Sequence, residues 1–389
     1  MKKILVISPF FYPELISTGK FNTDMVIALR DKGHNVKVLC YHPFYPEWRV
    51  TESDKKLKGI TIIRGGKNIV FSSKTILRRI VLEFSFMFFV LRKIVKHQKN
   101  IDIIIPVFPP SLAFYFITFL LKKETKKVGI VHDLQEIYSS KKKGNIFKFF
   151  NKVISHVEKK VYSSCDRLIF LSEEMKIFAR DRYQLREEDL KVQYPFVTID
   201  AYKDKKDELS DLFDKDKKHI VYSGALGEKQ NPIALYNLFE YCSTKLIKVH
   251  FHFFSKGNVF NELKSRNKNL NIYFHNLVSK DNIEEMYQKS FIQIIPQQSG
   301  TSQGSLPSKL PNLLASRCNI ICITDKDSEI DKLFLKHQLN KVLNSWNKDL
   351  FLEAINDFFE KKESNNQLHL EISDRLFNVN SMINIILEE

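Results

Sequence analysis

Residues 3–39 read KILVISPFFYPELISTGKFNTDMVIALRDKGHNVKVL, and the fold follows from their order. Lys3–Ile7 is a short, nearly continuous apolar run, the pattern of a parallel strand buried on both faces. A loop containing Pro and Gly, Ser8–Gly19, follows it. From Asn22 to Lys32 the apolar residues Met25, Val26 and Leu29 recur at helical spacing. Gly33 stops that helix, and Asn35–Leu39 begins a second strand, completing a βαβ unit. The alternation continues outward. Strands are expected at Ile60–Arg64, Ile101–Pro106, Lys127–His132 and Arg167–Ser172, with helices between them, including a long one over Asn145–Ser164. Near Tyr194–Asp204 the pattern gives way to a polar, charged stretch, read as a linker. A second series then starts, with strands at His219–Ser223, Val249–Phe254, Asn271–Phe274, Phe291–Ile295 and Ile320–Ile323. The last residues, about Glu371–Glu389, again have helical character. Two such series predict an α/β chain of two Rossmann-like, doubly wound domains, whose ligands sit beyond the carboxyl ends of the strands.

Length and composition fit this division. A chain of 389 residues, 43% of them hydrophobic, is expected to form two domains of about 150–200 residues. Sixty-one Lys and Arg against 45 acidic residues leave a net charge of +16. Such an excess points to an anionic partner or to compositional drift towards Lys. Five scattered cysteines lack the spacing of a disulfide framework and fit a reducing compartment. Cys318 and Cys322 have no second Cys/His pair beside them, so no zinc site is read there. The apolar run after Lys2-Lys3 is shorter than a signal-peptide core and is read as the first strand. No stretch reaches the about 18 apolar residues of a membrane-spanning helix.

Four loops carry the candidate chemistry. Gly19 and Lys20 stand at the start of the first helix, where a glycine lets backbone amides approach a phosphate; a simple turn would also call for glycine. The spacing is not GxGxxG, so the dinucleotide fingerprint of an NAD enzyme is absent. His132-Asp133 ends a strand. A neutral imidazole there suits proton transfer from a hydroxyl, while a strand-end turn capped by Asp is the plainer reading. In YSGALGEKQNP (222–232), Gly224 and Gly227 free the backbone and Lys229 supplies a point charge for a diphosphate. The most specific is SGTSQGSLPSKLPNLLAS (299–316). Its polar loop leads through Gly304, Ser305, Leu306 and Pro307 to Ser308, Lys309 and a helix start, where free amides make an anion site.

These loops, together with YPELISTGKFNTDMVIALRDKGHNVKVLCYHPFYPEWRV (12–50), VFPPSL (107–112), VHDLQEIY (131–138) and DRLIFLSEEMK (166–176), resemble glycosyltransferase family 4. Within it they are most similar to bacterial polysaccharide enzymes of the colanic-acid and L-fucosamine transferase type. The resemblance covers almost the whole chain. It implies the GT-B fold, two Rossmann-like domains facing a central cleft. Residues 1–197 would bind the acceptor, 198–370 the nucleotide sugar, and 371–389 would cross back to the first domain. It implies a retaining hexosyltransferase acting without a metal or other cofactor. Gly19 and Lys20 would face the donor phosphates and His132 the reacting sugar; from its position next to His132, Asp133 could orient the imidazole or act itself. Lys229, helped by Ser308 and Lys309, would hold the diphosphate, and the backbone of His275, Asn276 and Leu277 would read the nucleobase. The donor would be a UDP-sugar, UDP-N-acetyl-L-fucosamine first, then UDP-GlcNAc or GDP-fucose. The acceptor would be an undecaprenyl-diphosphate-linked saccharide in capsule, O-antigen or exopolysaccharide synthesis.

The chain departs from that family at two points. Many members carry two glutamates eight residues apart in the fourth motif, where this chain has Gly304 and Asn312. Asn312 could still meet a ribose hydroxyl. A frequent arginine in the second-domain glycine loop is replaced by Ala225. The diphosphate grip would then lean on Lys229 and Lys309, and a non-catalytic nucleotide-sugar-binding or scaffold protein is the rival reading. A nucleic-acid partner is not expected, because no aromatic–basic surface or known module appears.

The resemblance also frames the charge. Apolar stretches at 80–94 and 111–121 are flanked by Lys74, Arg78, Arg79, Arg92, Lys93, Lys96 and Lys99, and by Lys122, Lys123, Lys126 and Lys127. Basic ends around an apolar face suit an interfacial helix on anionic lipid, and two core helices with solvated lysines would look alike. The expectation is a cytoplasmic protein bound peripherally to the inner membrane face through its first domain.

Overall fold

The computed structural model describes residues 1–14, 16–45, 47–97, 100–134, 145–199, 207–301, 306–360 and 367–388. The chain forms two compact units, Met1–Pro195 with Asn378–Glu389, and Phe196–Phe377.

The first unit is built on strands β1 (Lys3–Ile7), β2 (Asn35–Tyr41), β3 (Ile60–Gly65), β4 (Ile103–Phe108), β5 (Lys126–Val131), β6 (Arg167–Phe170) and β7 (Leu190–Val192). They pair in the order β3-β2-β1-β4-β5-β6-β7, all parallel. Helix α1 (Ser17–Asp31) links β1 to β2 and buries Phe21, Met25, Val26 and Leu29. It starts five residues earlier than the apolar spacing alone marks, because its first turn carries Gly19 and Lys20. Helices α2 (Thr75–His97), α3 (Leu112–Ile117), α4 (Asn145–Tyr162) and α5 (Glu173–Tyr183) also belong to this unit. The Glu83 carboxylate on α2 accepts the Ser111 and Leu112 amides at 3.3 and 2.9 Å, which fixes the entry of α3 against α2.

The second unit has strands β8 (Lys218–Ser223), β9 (Val249–Phe254), β10 (Ile272–His275), β11 (Ile292–Pro296), β12 (Ile320–Ile323) and β13 (Lys341–Leu343). Their order is β10-β9-β8-β11-β12-β13, again all parallel. Both sheets are therefore doubly wound, the class read from the sequence. Helices α6 (Pro232–Ser243), α7 (Asn258–Arg266), α8 (Ile283–Lys289), α9 (Leu310–Ala315), α10 (Glu329–Lys336), α11 (Lys348–Glu360) and α12 (Gln367–Leu376) accompany it. One sheet face packs Ile220, Tyr222, Phe251, Phe253 and Ile272 against Leu235, Leu238 and Phe239 of α6.

Strands β1, β9 and β12 have the bounds read from sequence. Strands β7 and β13 were not expected: LKV and KVL are three-residue edge strands, too short for a periodic signal. Two boundaries also move. Phe196 is buried and Thr198 is bonded to Asn312, so the second unit begins at Phe196 rather than 198. At the other end, the helical stretch read from 371 is two helices. The first, α12, packs on α9, and its Ser373 hydroxyl donates to the Pro311 carbonyl at 3.4 Å. The second, α13 (Val379–Leu387), belongs to the first unit and packs on α1 through buried Met382, Ile383 and Ile386. The Arg167 guanidinium of β6 donates to the Ile385 carbonyl at 2.6 Å. The return to the first unit therefore starts at Asn378, whose side chain caps α13 by accepting from the Asn380 amide at 2.8 Å. The linker read at Tyr194–Asp204 lies partly outside the described residues.

Candidate active site

In the second unit β8 and β11 are neighbours, yet the chain leaves β8 toward β9 on one side and β11 toward β12 on the other. That reversal of strand order opens a crevice at the carboxyl ends, and two loops frame it, the residues after Ser223 and those after Pro296. Gly224 has φ +133°, a region disfavoured for L side chains, and its amide donates to the Phe254 carbonyl at 2.9 Å. The Tyr222 hydroxyl holds the next turn by donating to the Ala225 carbonyl at 2.5 Å. A single 3-10 turn, Glu228–Gln230, closes through the Gln230 amide on the Gly227 carbonyl, 3.0 Å, and carries Lys229 at the surface. The Lys229 carbonyl accepts the Gln298 amide at 2.7 Å. The backbone that presents Lys229 is thus fastened to the loop after β11.

Lys309 is placed differently from its sequence reading. Its ammonium turns back under the loops and donates to the carbonyls of Ile294, 2.7 Å, and Ser223, 3.2 Å. It also lies 4.4 Å from the centre of the Tyr222 ring, within cation–π range. Burial pulls its pKa down to about 7. Two of the three N–H donors of an ammonium are therefore engaged, one at the last residue of β8 and one at the middle of β11. Asn312, expected to meet a ribose hydroxyl, is paired with Thr198 in this structure. Its Oδ1 accepts the Thr198 amide at 2.8 Å and its Nδ2 donates to the Thr198 hydroxyl at 3.1 Å. The helix after this motif begins at Leu310, with Pro311 in its first turn, one turn later than Pro307 implied. Leu306 is buried, Pro307 half-buried and Ser308 exposed. Gly304 and Ser305 lie outside the described residues.

The loop expected to read a nucleobase follows β10, two strands from β8 and so about 10 Å across the sheet. Asn276 and Leu277 are exposed there. The His275 carbonyl accepts the Ser255 amide at 3.0 Å. The His275 ring is stacked on Phe254, and burial lowers its pKa to about 4.

In the first unit the structure brings His132 and the first turn of α1 together: the Phe21 ring meets the imidazole edge-on at 4.6 Å between centres. His132 follows β5, and its amide donates to the Phe108 carbonyl at 2.9 Å. Its Nε2 is closed to solvent and has no hydrogen-bond partner among the described residues. An orphaned buried polar atom is costly, and here it sits at the carboxyl end of the sheet. Burial drives the pKa down to about 3. Asp133 is half-buried in the same turn. Gly19 has a packing reason of its own. A Cβ there would stand 2.9 Å from the Glu14 Cβ.

Sequence reasoning missed Glu14 and Asn22. The Glu14 carboxylate, buried in an apolar loop, accepts the Phe44 and Tyr45 amides at 2.9 and 3.2 Å. Asn22 donates to the Ser8 hydroxyl and the Phe10 carbonyl, both 3.0 Å, and so shapes the loop leaving β1. A lone acid and a lone amide among apolar residues were the only signal.

Residues 18–201 match the sequence model of Glycosyltransferase Family 4. The chain is 26% identical over 360 residues to "Putative colanic acid biosynthesis glycosyl transferase WcaI" of Escherichia coli (strain K12), covering 85% of each. Among solved structures it is similar to WaaG, "a glycosyltransferase involved in lipopolysaccharide biosynthesis", with TM-score 0.71 at 12% identity over 99% of this chain and 100% of that one. It is also similar to an E. coli structure titled "Trehalose-6-phosphate from E. coli bound with UDP-2-fluoro glucose", with TM-score 0.67 at 11% identity over the whole of both chains. The fold is GT-B.

The depressed pKa of His132 has a measurable consequence. Above pH 6.5 the ring is neutral folded or unfolded. As the pH falls from 6.5 toward 3, the unfolded chain takes up a proton that the folded chain refuses, so stability is lost over that window. Nitrogen-15 NMR of the labelled protein should find His132 neutral at pH 5. A ring protonated at that pH would contradict the burial described.

Proposed function

We propose that this chain, a glycosyltransferase whose residues 18–201 are a family 4 domain, moves a sugar from a nucleoside diphosphate to a lipid-linked saccharide acceptor. The observation that carries the reading is the double loop at the β8–β11 switch point. Gly224 opens the backbone there, Lys229 stands at the surface, and Lys309 joins the end of β8 to the middle of β11. Beside it, α6 starts with Pro232, and the free amides of a helix start favour an anion. A diphosphate bound there would meet one surface lysine and backbone donors without a metal ion. A UDP-sugar is the favoured donor, N-acetyl-L-fucosamine the first choice of sugar, and retention the stereochemical outcome. Synthesis of polysaccharide or lipopolysaccharide is the setting; capsule or O-antigen is the finer reading.

In the proposed reaction a hydroxyl of the acceptor attacks the anomeric carbon. The bond from that carbon to the diphosphate oxygen breaks as the new glycosidic bond forms. The negative charge gathers on the leaving diphosphate, where Lys229 and the loop amides stabilise it. His132, with a pKa near 3, is too weak a base to take the attacking hydroxyl's proton at neutral pH. Its neutral imidazole, half-exposed at the end of β5, instead serves as an uncharged polar group beside the sugar, with Nε2 remaining inside. The departing diphosphate receives the proton.

The acceptor's lipid gives a use to the surface of the first unit. Helix α2 buries Leu82, Phe86, Met87, Val90 and Ile94 but exposes Leu77, Phe84, Phe88 and Val95. The exposed set recurs every seven or four residues, along one face. Next to it, α3 and the turn after it expose Phe116, Phe119 and Leu120. The described basic residues around both helices would meet anionic headgroups on the cytoplasmic side of a membrane. No helix among the described residues is long and apolar enough to cross one.

Two experiments test these readings. Lys229→Ala should weaken UDP-sugar binding, measured by calorimetry, by about 10- to 100-fold, the worth of a charge-assisted hydrogen bond. Unchanged affinity would remove Lys229 from the donor site. The double variant Phe84→Ser, Phe88→Ser should lower co-sedimentation with anionic vesicles at low salt by at least about tenfold. Equal sedimentation of the wild type and the variant would contradict docking through α2.

A further inference from the structure

The face of the second sheet opposite its phenylalanine core carries a row of histidines. The strand β9 reads VHFHFF, so Phe251 and Phe253 enter the apolar cluster while His250 and His252 point the other way. In register, His219 on β8 stands beside His250, and Tyr273 on β10 beside His252. His219 and His252 are buried and His250 is half-buried. One nitrogen from each of the three lies within 4.8 Å of the others. Phe213 packs over His219 and His252, at 5.0 and 5.2 Å between ring centres.

The outer nitrogens of this group are already oriented. His219 Nε2 is 2.8 Å from the Asp214 carbonyl. A carbonyl only accepts, so that nitrogen carries the hydrogen and His219 Nδ1 offers a lone pair inward. His219 Nδ1 is 2.9 Å from His252 Nε2, and His252 Nδ1 is 3.0 Å from His275 Nε2. Metal-binding histidines are held in this manner, with the second ring nitrogen on a carbonyl or another polar group.

We propose that His219, His250 and His252 form a binding site for a divalent transition-metal ion of the zinc class, with water as the fourth ligand on the half-exposed His250 side. Three imidazoles and an open position suit that class. Zinc–nitrogen bonds of about 2.0–2.1 Å set ligand nitrogens about 3.3 Å apart in a tetrahedron. The His219–His252 pair needs to open by only a few tenths of an ångström to meet this. The ion takes the place of the hydrogen between His219 and His252. His252 then carries its hydrogen on Nδ1 and donates it to His275 Nε2, and the hydrogen of His275 moves to its own Nδ1. No net proton is gained or lost within the row. His219 lies four residues before Ser223 on the same strand, about 13 Å from the strand's carboxyl end. The site therefore ties β8 to β9 and stands apart from the loops assigned to the donor.

The test uses the full chain, purified without a histidine tag, stripped with a chelator, and titrated with cobalt and then zinc. The expected result is one cobalt per chain, with the visible absorption of a four-coordinate nitrogen and oxygen site and no thiolate charge-transfer band, displaced by zinc. His250→Ala and His219→Gln should each weaken binding by at least about tenfold, while His156→Ala, an exposed histidine on α4, should change nothing. If His219→Gln misfolds, His250→Ala at its half-exposed position decides. Absence of stoichiometric binding by the native chain would overturn the site and leave a hydrogen-bonded row only. Cobalt bound equally well by His250→Ala, or through thiolate, would overturn it as well.

Discussion

One ammonium, that of Lys309, bonds the carbonyls of Ser223 and Ile294, and the loops proposed for the donor depend on that contact. The carboxyl end of a parallel sheet presents carbonyls that the strands themselves leave unpaired. At the switch point the chain diverges, and no crossover helix fills the gap between β8 and β11. A lysine from the start of α9 bonds the last carbonyl of β8 and the Ile294 carbonyl within β11, just past the last paired residues of the two strands, Val221 and Gln293. Asn312, three residues on, ties the same helix to Thr198 at the entrance to the unit. The positive-φ turn at Gly224 and the fastening of Lys229 to Gln298 are built on this base.

Much of this was legible in the chain. The two parallel sheets followed from short buried runs alternating with helical spacing, because a strand covered on both faces has few ways to look in sequence. The loops proposed for the donor were read for the same reason, as the segments directly after strands. Side-chain direction was not legible. Lys309 reads as a phosphate ligand, since a lysine at a helix start suits an anion, but its partners lie 15 and 86 residues away. Asn312 reads as a polar group free for a ribose, yet it is paired 114 residues back. Spacing cannot report such pairings, because they arise only when the elements pack. His132 was placed correctly at a strand end. Its burial, and hence its weakness as a base, depends on Phe21 and the surrounding core.

The histidine row marks another limit of the same kind. Alternating histidines in VHFHFF say only that they share a face. That His219 and His275 fall beside them depends on strand order and register. The second sheet thus carries polar groupings at separate places. The loops at the carboxyl ends of β8 and β11 are those proposed for the donor. The imidazoles reach from the amino half of β8 to the end of β10.

The central claim is that the loops after β8 and β11 hold the diphosphate of the donor. Hydrogen–deuterium exchange of the full chain, with and without a saturating UDP-sugar, tests it most directly. The account predicts slower exchange of the amides at 224–230 and 297–301 in the presence of the ligand. Bound ligand with exchange at those two segments unchanged would contradict it.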